Sequence, residues 1–265
     1  MIYDAATLPP GGTLRAGLCV IGAGAGGSMA AMTAAEAGER VTVIEAGPLL
    51  TPADMTQRED DMFPTLLWEA GARRTRDRAV ALHQGRGVGG STLHNLNLCK
   101  RIPDSLIRQW DLEHLGVERF AELYARVEAL LTVTAVPRDQ WNAHNRMLER
   151  GCAELGWRGG GLRHNRTGCL GSGFCEVGCA YDAKNNAAKV LIPRAVAAGA
   201  QVLTHCQASR LHVRDGAVRG LTAVIVDERS GHAQGRIEIE AERVCVAASA
   251  TATAALLLRS HIAGP

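Results

Sequence analysis

The stretch LCVIGAGAGGSMA, residues 18–30, joins an apolar run to a glycine-rich turn and a segment of small residues. The apolar run predicts a buried strand ending at Ile21, and the alanine-rich segment after the turn predicts a helix. In such a unit Gly22 makes the tight turn, Gly24 lets the backbone approach a pyrophosphate, and Gly27 lets the helix pack closely on the strand. The helix N-terminus then offers free N–H groups to phosphates. The stretch therefore predicts a dinucleotide site.

A second apolar run, RVTVIE at residues 40–45, ends in an acidic residue about twenty positions after the glycines. In a Rossmann-like fold this position places a carboxylate beside the ribose of the dinucleotide. Glu45 is therefore expected to bind a ribose hydroxyl, and an acid there favours a free 2′-hydroxyl over a 2′-phosphate. Together the two runs predict an α/β fold, doubly wound and Rossmann-like, with three layers.

The composition of the chain bears on whether it contains a membrane segment and whether it binds nucleic acid. Residues 16–35 carry no charge, but glycines interrupt them and much of their apolar character comes from alanine. A membrane span or signal peptide is therefore disfavoured, and the expected location is the cytoplasm. The 29 basic and 27 acidic residues give a net charge of +2, which predicts no nucleic-acid partner.

The segment HQGRGVGGSTLHN, residues 83–95, places four glycines before two hydroxyls and an amide. Such a turn suits backbone that passes close to a large flat ligand. Its GRGVGGST portion, residues 85–92, followed by Asn95, resembles the first signature of the glucose-methanol-choline (GMC) oxidoreductases. These are FAD-dependent enzymes that oxidise alcohols, so the resemblance implies bound FAD and hydride transfer from a CH–OH group to the flavin.

The resemblance implies a set of cofactor contacts. Gly22, Gly24 and Gly27 would serve the pyrophosphate, and Glu45 the ribose. The remaining expected contacts are Arg86, Gly89, Gly90, Ser91, His94, Asn95 and Ser209. In some members a histidine near the position of His94 is bonded covalently to the flavin ring; the alternative is a histidine that lies near the ring or faces solvent.

The resemblance extends along the chain and suggests three segments: an FAD-binding core at 1–110, a helical excursion with a cysteine-rich loop at 111–193, and a return to the FAD domain at 194–265. Within the last segment, residues 207–213 and 218–226 alternate around Asp215 and Gly216 as a hairpin would. Residues 244–261 resemble an altered second signature. Ser249 and His261 stand where glycine is usual, and Ala254 stands where proline is usual, which predicts a strained or loosened turn.

No histidine lies in a segment that resembles the catalytic part of the family, so the catalytic residues are unknown. The resemblance implies that the substrate domain of this chain is incomplete and that a carboxyl-terminal catalytic half is missing. Alternatives are a non-catalytic remnant, or one half of a split dehydrogenase with the other half as a partner. The substrate class stays open among alcohols, sugars and sterols, and the electron acceptor among oxygen, a quinone and a cytochrome.

Three of the eight cysteines, Cys169, Cys175 and Cys179, lie in the glycine-rich cysteine loop, residues 167–179. Three thiolates suit an iron–sulfur cluster better than structural zinc, which takes four ligands. The spacing resembles the cluster loop of certain membrane-associated family members, which pass electrons to a cytochrome subunit. Free, paired or structural thiols are the alternative. The other five cysteines are expected to be buried; they are Cys19, Cys99, Cys152, Cys206 and Cys245. Lys184, which follows the loop, is expected to be exposed.

Overall fold

The computed structural model describes residues 1–9, 11–227 and 232–262, which divide into two compact units. Unit 1 comprises Met1–His94, Glu176–Ala180 and Asn186–Pro265, and unit 2 comprises Asn95–Cys175 and Tyr181–Asn185. The predicted segment boundaries at residues 110 and 193 differ from these, since residues 95–110 fall in unit 2 and residues 186–193 in unit 1. Of the predicted last segment, residues 228–231 and 263–265 lie outside the described residues.

Unit 1 is built around one mixed sheet. Its elements are β1 (Ile2–Asp4), β2 (Thr13–Ile21), α1 (Ala25–Glu36), β3 (Val41–Ile44), α2 (Glu59–Leu66), α6 (Ala187–Ala197), β6 (Gln201–Thr204), β7 (Cys206–Arg214), β8 (Ala217–Val226), β9 (Ala233–Val246) and α7 (Ser249–Arg259). The seven strands lie in the order β1-β6-β3-β2-β9-β8-β7. The first five strands in this order, β1, β6, β3, β2 and β9, pair parallel with their neighbours within this group. Strands β8 and β7 then add two antiparallel pairings at one edge. The predicted α/β class with a parallel sheet is confirmed.

Strand β3 shows why the parallel part forms. All four of its residues are buried, and it lies between β2 and β6. A strand covered on both faces reads as a continuous apolar run, and VTVI at residues 41–44 comes close to that pattern. The parallel register places the ends of β2 and β3 side by side, with Ile21 opposite Ile44.

A hairpin and a capped helix belong to the return to the sheet. Strands β7 and β8 form the predicted hairpin, and Asp215 and Gly216 both adopt positive φ, as a two-residue turn requires. Helix α6, which precedes β6, begins at Ala187 because the Asn186 side chain caps it. This side chain accepts a hydrogen bond from the Lys189 N–H at 2.9 Å.

The main core lies against the sheet of unit 1 and includes Cys19 and Cys206. Burial raises the pKa of each of these thiols to about 12. The expectation of burial is wrong for Cys99, Cys152 and Cys245, which are only partly buried. Cys152 lies on a helix none of whose residues is buried, so its apolar neighbours do not enclose it.

Unit 2 contains α3 (Asp104–Gln109), α4 (Val117–Leu130), β4 (Val133–Ala135), α5 (Ala143–Glu154) and β5 (Arg163–Asn165). Strands β4 and β5 pair antiparallel. The Glu128 carboxylate, on α4, binds Arg101 at 2.8 Å through both of its oxygens and Arg163 at 2.9 Å. It thereby joins the segment before α3 to α4 and β5. No helix in the described ranges has both the length and the apolar character of a membrane span.

The Glu128 contacts predict a dependence of stability on pH. The hydrogen bonds from Arg101, with a smaller contribution from Arg163, lower the pKa of Glu128 to about 2, from 4.5 in the unfolded chain. A carboxyl whose pKa is lower in the folded state stabilises the fold above pH 4.5, and this contribution is lost as pH falls toward 2. In urea titrations across this range, Glu128→Gln is expected to lower the unfolding free energy at neutral pH and to flatten its decline in acid.

Glu122→Gln is the matched control, because Glu122 lies on the same helix but is 64% exposed and forms an ion pair with Arg119, three residues before it. An exposed pair contributes little, so this variant should keep both the stability and the acid decline of the parent. If Glu128→Gln kept the parental acid decline, Glu128 would not be its source.

Candidate dinucleotide site

The first glycine turn, residues 22–27, connects β2 to α1 and leaves no room for larger residues at two positions. Gly22 has φ +101°, and an added Cβ would lie 2.6 Å from the Ala247 carbonyl oxygen. An added Cβ at Gly27 would overlap the carbonyl oxygen of Gly22. At Gly24, by contrast, an added Cβ would meet nothing within 4 Å. The turn is therefore tight on the protein side and open on the other.

The second glycine turn, residues 83–95, lies against the first. The Gly89 N–H donates to the Ala23 carbonyl at 2.8 Å, and an added Cβ at Gly90 would lie 2.8 Å from the Gly24 Cα. Gly90 also has φ +52°, a conformation that favours glycine. Two motifs more than fifty residues apart in sequence thus meet backbone to backbone.

A cavity of about 260 Å³, the cofactor cavity, opens between the two turns. It lies at the carboxyl edge of the parallel strands, because Ile21, Ile44 and Ala247 at or just after the ends of β2, β3 and β9 line it. Ligands of open α/β sheets bind at this edge. The first N–H groups of α1 lie here too, since the first intrahelical hydrogen bond runs from the Ser28 N–H to the Gly24 carbonyl.

Glu45 lies in the cavity wall and holds it together. Its side chain is 8% exposed, and one carboxylate oxygen accepts from the Ala23 N–H at 2.9 Å. The other oxygen accepts from the Gly47 N–H at 3.0 Å and the Gly87 N–H at 3.1 Å. Burial raises the pKa of Glu45, and these backbone hydrogen bonds oppose the rise. The acid thus connects both glycine turns to the end of β3.

The profile of the GMC oxidoreductase family matches residues 20–264. The chain belongs to this family. An uncharacterised GMC-type oxidoreductase of Mycobacterium tuberculosis is 35% identical over 256 residues, which cover 94% of the chain and 40% of that protein. A long-chain-alcohol oxidase of Arabidopsis thaliana is 25% identical over 259 residues, 94% of the chain and 35% of the oxidase.

A solved structure shows the same fold. The crystal structure of pyridoxine 4-oxidase from Mesorbium loti has a TM-score of 0.68 at 21% identity, over 93% of the chain and 52% of that enzyme. GMC oxidoreductases are FAD-binding enzymes, and the chain has the fold of their FAD-binding part. It spans half or less of the length of the curated relatives it matches.

The structure brings five of the expected GMC site residues to the cofactor cavity. These are Gly22, Gly24, Glu45, Gly90 and Ser91. Gly27 and Gly89 lie behind the turns, where they allow close packing. Arg86, His94 and Asn95 do not line the cavity. The Arg86 guanidinium lies over the Trp68 ring at 5.5 Å, and the Asn95 side chain accepts a hydrogen bond from the Asn97 N–H.

Ser209 does not line the cofactor cavity. Its hydroxyl donates to the Thr222 carbonyl on the neighbouring strand at 3.0 Å, whereas Gln207 and Ala208 line the cavity. The physical reason is a bulge in β7 between Ala208 and Arg210, which interrupts the alternation of side chains.

Trp68 and Gln84 also line the cavity, and sequence reasoning did not include them. Trp68 lies two residues after the end of α2 and far from both glycine turns, so neither turn motif indicates it. The available signal was a large aromatic residue close to charged residues such as Glu69 and Arg73.

The altered second signature runs from the end of β9 through α7 to the residues that follow it. Ser249 has φ +69° and His261 has φ +58°, so both residues that replace glycine adopt the left-handed conformation that glycine favours. Ala254 lies inside α7, where alanine is well suited to the helix. The expected strain is therefore present at two of the three positions.

The cysteine loop is not gathered into a metal site. Among residues 1–9, 11–227 and 232–262, no group of three or more His, Cys, Asp or Glu side chains could hold a metal ion. No disulfide joins the cysteines of these ranges, Cys169, Cys175 and Cys179 included. The comparisons and the structure give no support to an iron–sulfur cluster.

Lys184 was expected to be exposed, and this is wrong. Its side chain is 1% exposed, and its ammonium donates to the carbonyl oxygens of Asn95 and Cys175, each at 2.7 Å. Backbone carbonyls satisfy a buried cation that sequence position alone assigns to the surface. Lys184 therefore joins Asn95 to Cys175 within the cysteine loop.

Two glycines on the first turn of α1 test the packing. Gly27→Ala is expected to lower the unfolding free energy by about 3 kcal/mol or to prevent folding, because its Cβ overlaps the Gly22 carbonyl. Gly26→Ala is the matched control: its Cβ meets nothing within 4 Å, and alanine favours helix. Chemical denaturation without ligand measures both. Equal stability of the two variants would show that α1 does not pack this closely.

Ser249→Gly is expected to raise the unfolding free energy by about 1 kcal/mol, because glycine relieves the left-handed strain. Ala254→Gly, inside the same helix at ordinary φ, is expected to lower it by about 1 kcal/mol. Thermal unfolding of the two variants beside the parent measures both. A loss of stability in Ser249→Gly would contradict the strain at this turn.

Proposed function

We propose that this chain is the FAD-binding part of an oxidoreductase that oxidises a CH–OH group by hydride transfer to flavin. The observation that carries the proposal is the cofactor cavity, where both glycine turns and the N-terminus of α1 meet at the carboxyl edge of the sheet. The name of the long-chain-alcohol oxidase that the chain resembles supports an alcohol as the class of substrate.

The residues present fit FAD. The free N–H groups at the start of α1 suit a pyrophosphate, and Gly24 and Gly26 leave the space beside them open. One Glu45 oxygen accepts a single N–H and keeps capacity for a ribose hydroxyl. Gly90 and Ser91 form the wall that we assign to the flavin side.

When bound, the isoalloxazine of FAD supplies the hydride acceptor. The substrate hydroxyl must also lose a proton, which requires a positioned base. No histidine lines the cofactor cavity in the described part of the chain. We therefore propose that the base belongs to a segment equivalent to the part of the longer relatives that this chain does not match.

The test is FAD binding by the purified chain. FAD is added after removal of endogenous ligand, and the affinity is measured by flavin fluorescence and equilibrium dialysis. Gly24→Ala is expected to weaken binding about tenfold, or about 1.4 kcal/mol, because the methyl group projects into the open side of the turn. Its φ of −73° allows alanine, so the fold should persist.

Gly151→Ala is the matched control, since this glycine also has open space around it but lies on α5 in unit 2. It should bind FAD as the parent does. A folded parent chain that takes up no FAD would contradict the proposed function. Equal affinities for Gly24→Ala and the parent would contradict the assignment of the first glycine turn to the pyrophosphate.

A further inference from the structure

The Cys169 thiol in unit 2 accepts hydrogen bonds from a cation and from the backbone. Arg166 Nη1 lies 3.1 Å from Cys169 Sγ, and the Gly171 N–H lies 3.4 Å from the same sulfur. Cys169 is only partly buried, so small molecules can reach it. Partial exposure beside an arginine is the environment in which cysteines react as nucleophiles.

The Arg166 charge has no carboxylate partner in the ranges that the structure describes. Its other hydrogen bond goes from Nη2 to the neutral Gln140 side chain at 2.7 Å. Gln140 therefore fixes the guanidinium without neutralising it. Glu149 lines the same region, but both of its oxygens bind Arg138, at 2.8 and 2.6 Å. The positive charge is thus available to stabilise negative charge on the sulfur.

Cys169, Arg166 and Gln140 line a cavity of about 710 Å³, the thiol cavity, whose other lining residues all belong to unit 2. His164 lines it as well, and its Nδ1 is buried without a hydrogen-bond partner. Burial, with a smaller contribution from Arg166, lowers the pKa of His164, so the ring is neutral at neutral pH. The cavity therefore offers an unpartnered imidazole nitrogen as well as a thiol.

We propose that Cys169 is a modification site for peroxides and small electrophiles, activated by Arg166. With hydrogen peroxide, the sulfur attacks one oxygen, so an S–O bond forms as the O–O bond breaks. The departing hydroxide takes up a proton and becomes water. The sulfur loses two electrons to give the sulfenic acid, and the peroxide gains them. This proposal is independent of FAD binding.

Cys152 is an internal control, because its thiol lines the same cavity but has no hydrogen-bond donor among the described residues. Burial raises the pKa of Cys19 and Cys206 to about 12 and also raises the pKa of Cys99. These three thiols are therefore poor competitors for an alkylating reagent at neutral pH.

The experiment measures alkylation of the folded chain by iodoacetamide, in which the sulfur bonds to the reagent carbon and iodide leaves. Peptide mass spectrometry over time gives a rate for each cysteine. Cys169 is expected to react at least about tenfold faster than Cys152. Arg166→Met should slow Cys169 about tenfold and leave Cys152 unchanged, whereas Arg166→Lys should retain part of the rate. Hydrogen peroxide with a sulfenic-acid trap should label Cys169 before Cys152.

Equal rates at Cys169 and Cys152 in the parent would overturn the proposal, as would an Arg166→Met variant with parental rates at both thiols. Faster alkylation of Cys152 in Arg166→Met would indicate local unfolding. In that case the alkylation rate of Cys169 in Gln140→Ala tests whether Arg166 activates the thiol. That variant keeps the charge but frees the guanidinium, so it should slow Cys169. A parental rate at Cys169 in Gln140→Ala would refute activation by Arg166.

Discussion

The buried carboxylate of Glu45 is the interaction on which the cofactor cavity depends. It accepts backbone N–H groups from Ala23, Gly47 and Gly87, which belong to three segments that meet at the end of β3. Without the carboxylate these donors would be buried and unpaired, and each such group costs about 1–3 kcal/mol. The acid that we propose for the ribose hydroxyl therefore also holds the walls of the site together.

Much of the site could be predicted because its signals are local. The first glycine turn, the acid at the end of β3 and the hairpin turn at Asp215 and Gly216 each lie within a few residues of the elements they join. Their conformations follow from backbone requirements that one residue type meets best. The positive φ of Ser249 and His261 could be predicted in the same way. Both residues stand where glycine is usual, and the backbone there keeps the left-handed conformation that glycine favours.

The remaining features depend on contacts that sequence spacing does not encode. The β7 bulge turns Ser209 toward Thr222, and alternation alone would have placed it otherwise. Lys184 is buried because the carbonyls of Asn95 and Cys175 happen to meet its ammonium, and Asn95 lies 89 positions away. The cysteine spacing suggested a metal site, yet a ligand set forms only when the backbone brings the thiols together.

The strand order also determines when this protein can fold. Strand β1 pairs with β6, and β2 pairs with β9, so that Arg15 contacts Glu240 across 225 positions. A ribosome therefore releases β1, β2 and β3 long before β6 and β9. Strands β2 and β3 can pair with each other, but β1 and the outer edges of the β2–β3 pair must wait unpaired. Parallel pairings this distant make folding slow and expose the early strands to aggregation. The strand order that places the ends of β2, β3 and β9 at the cofactor cavity thus delays completion of the sheet until β9 has been synthesised.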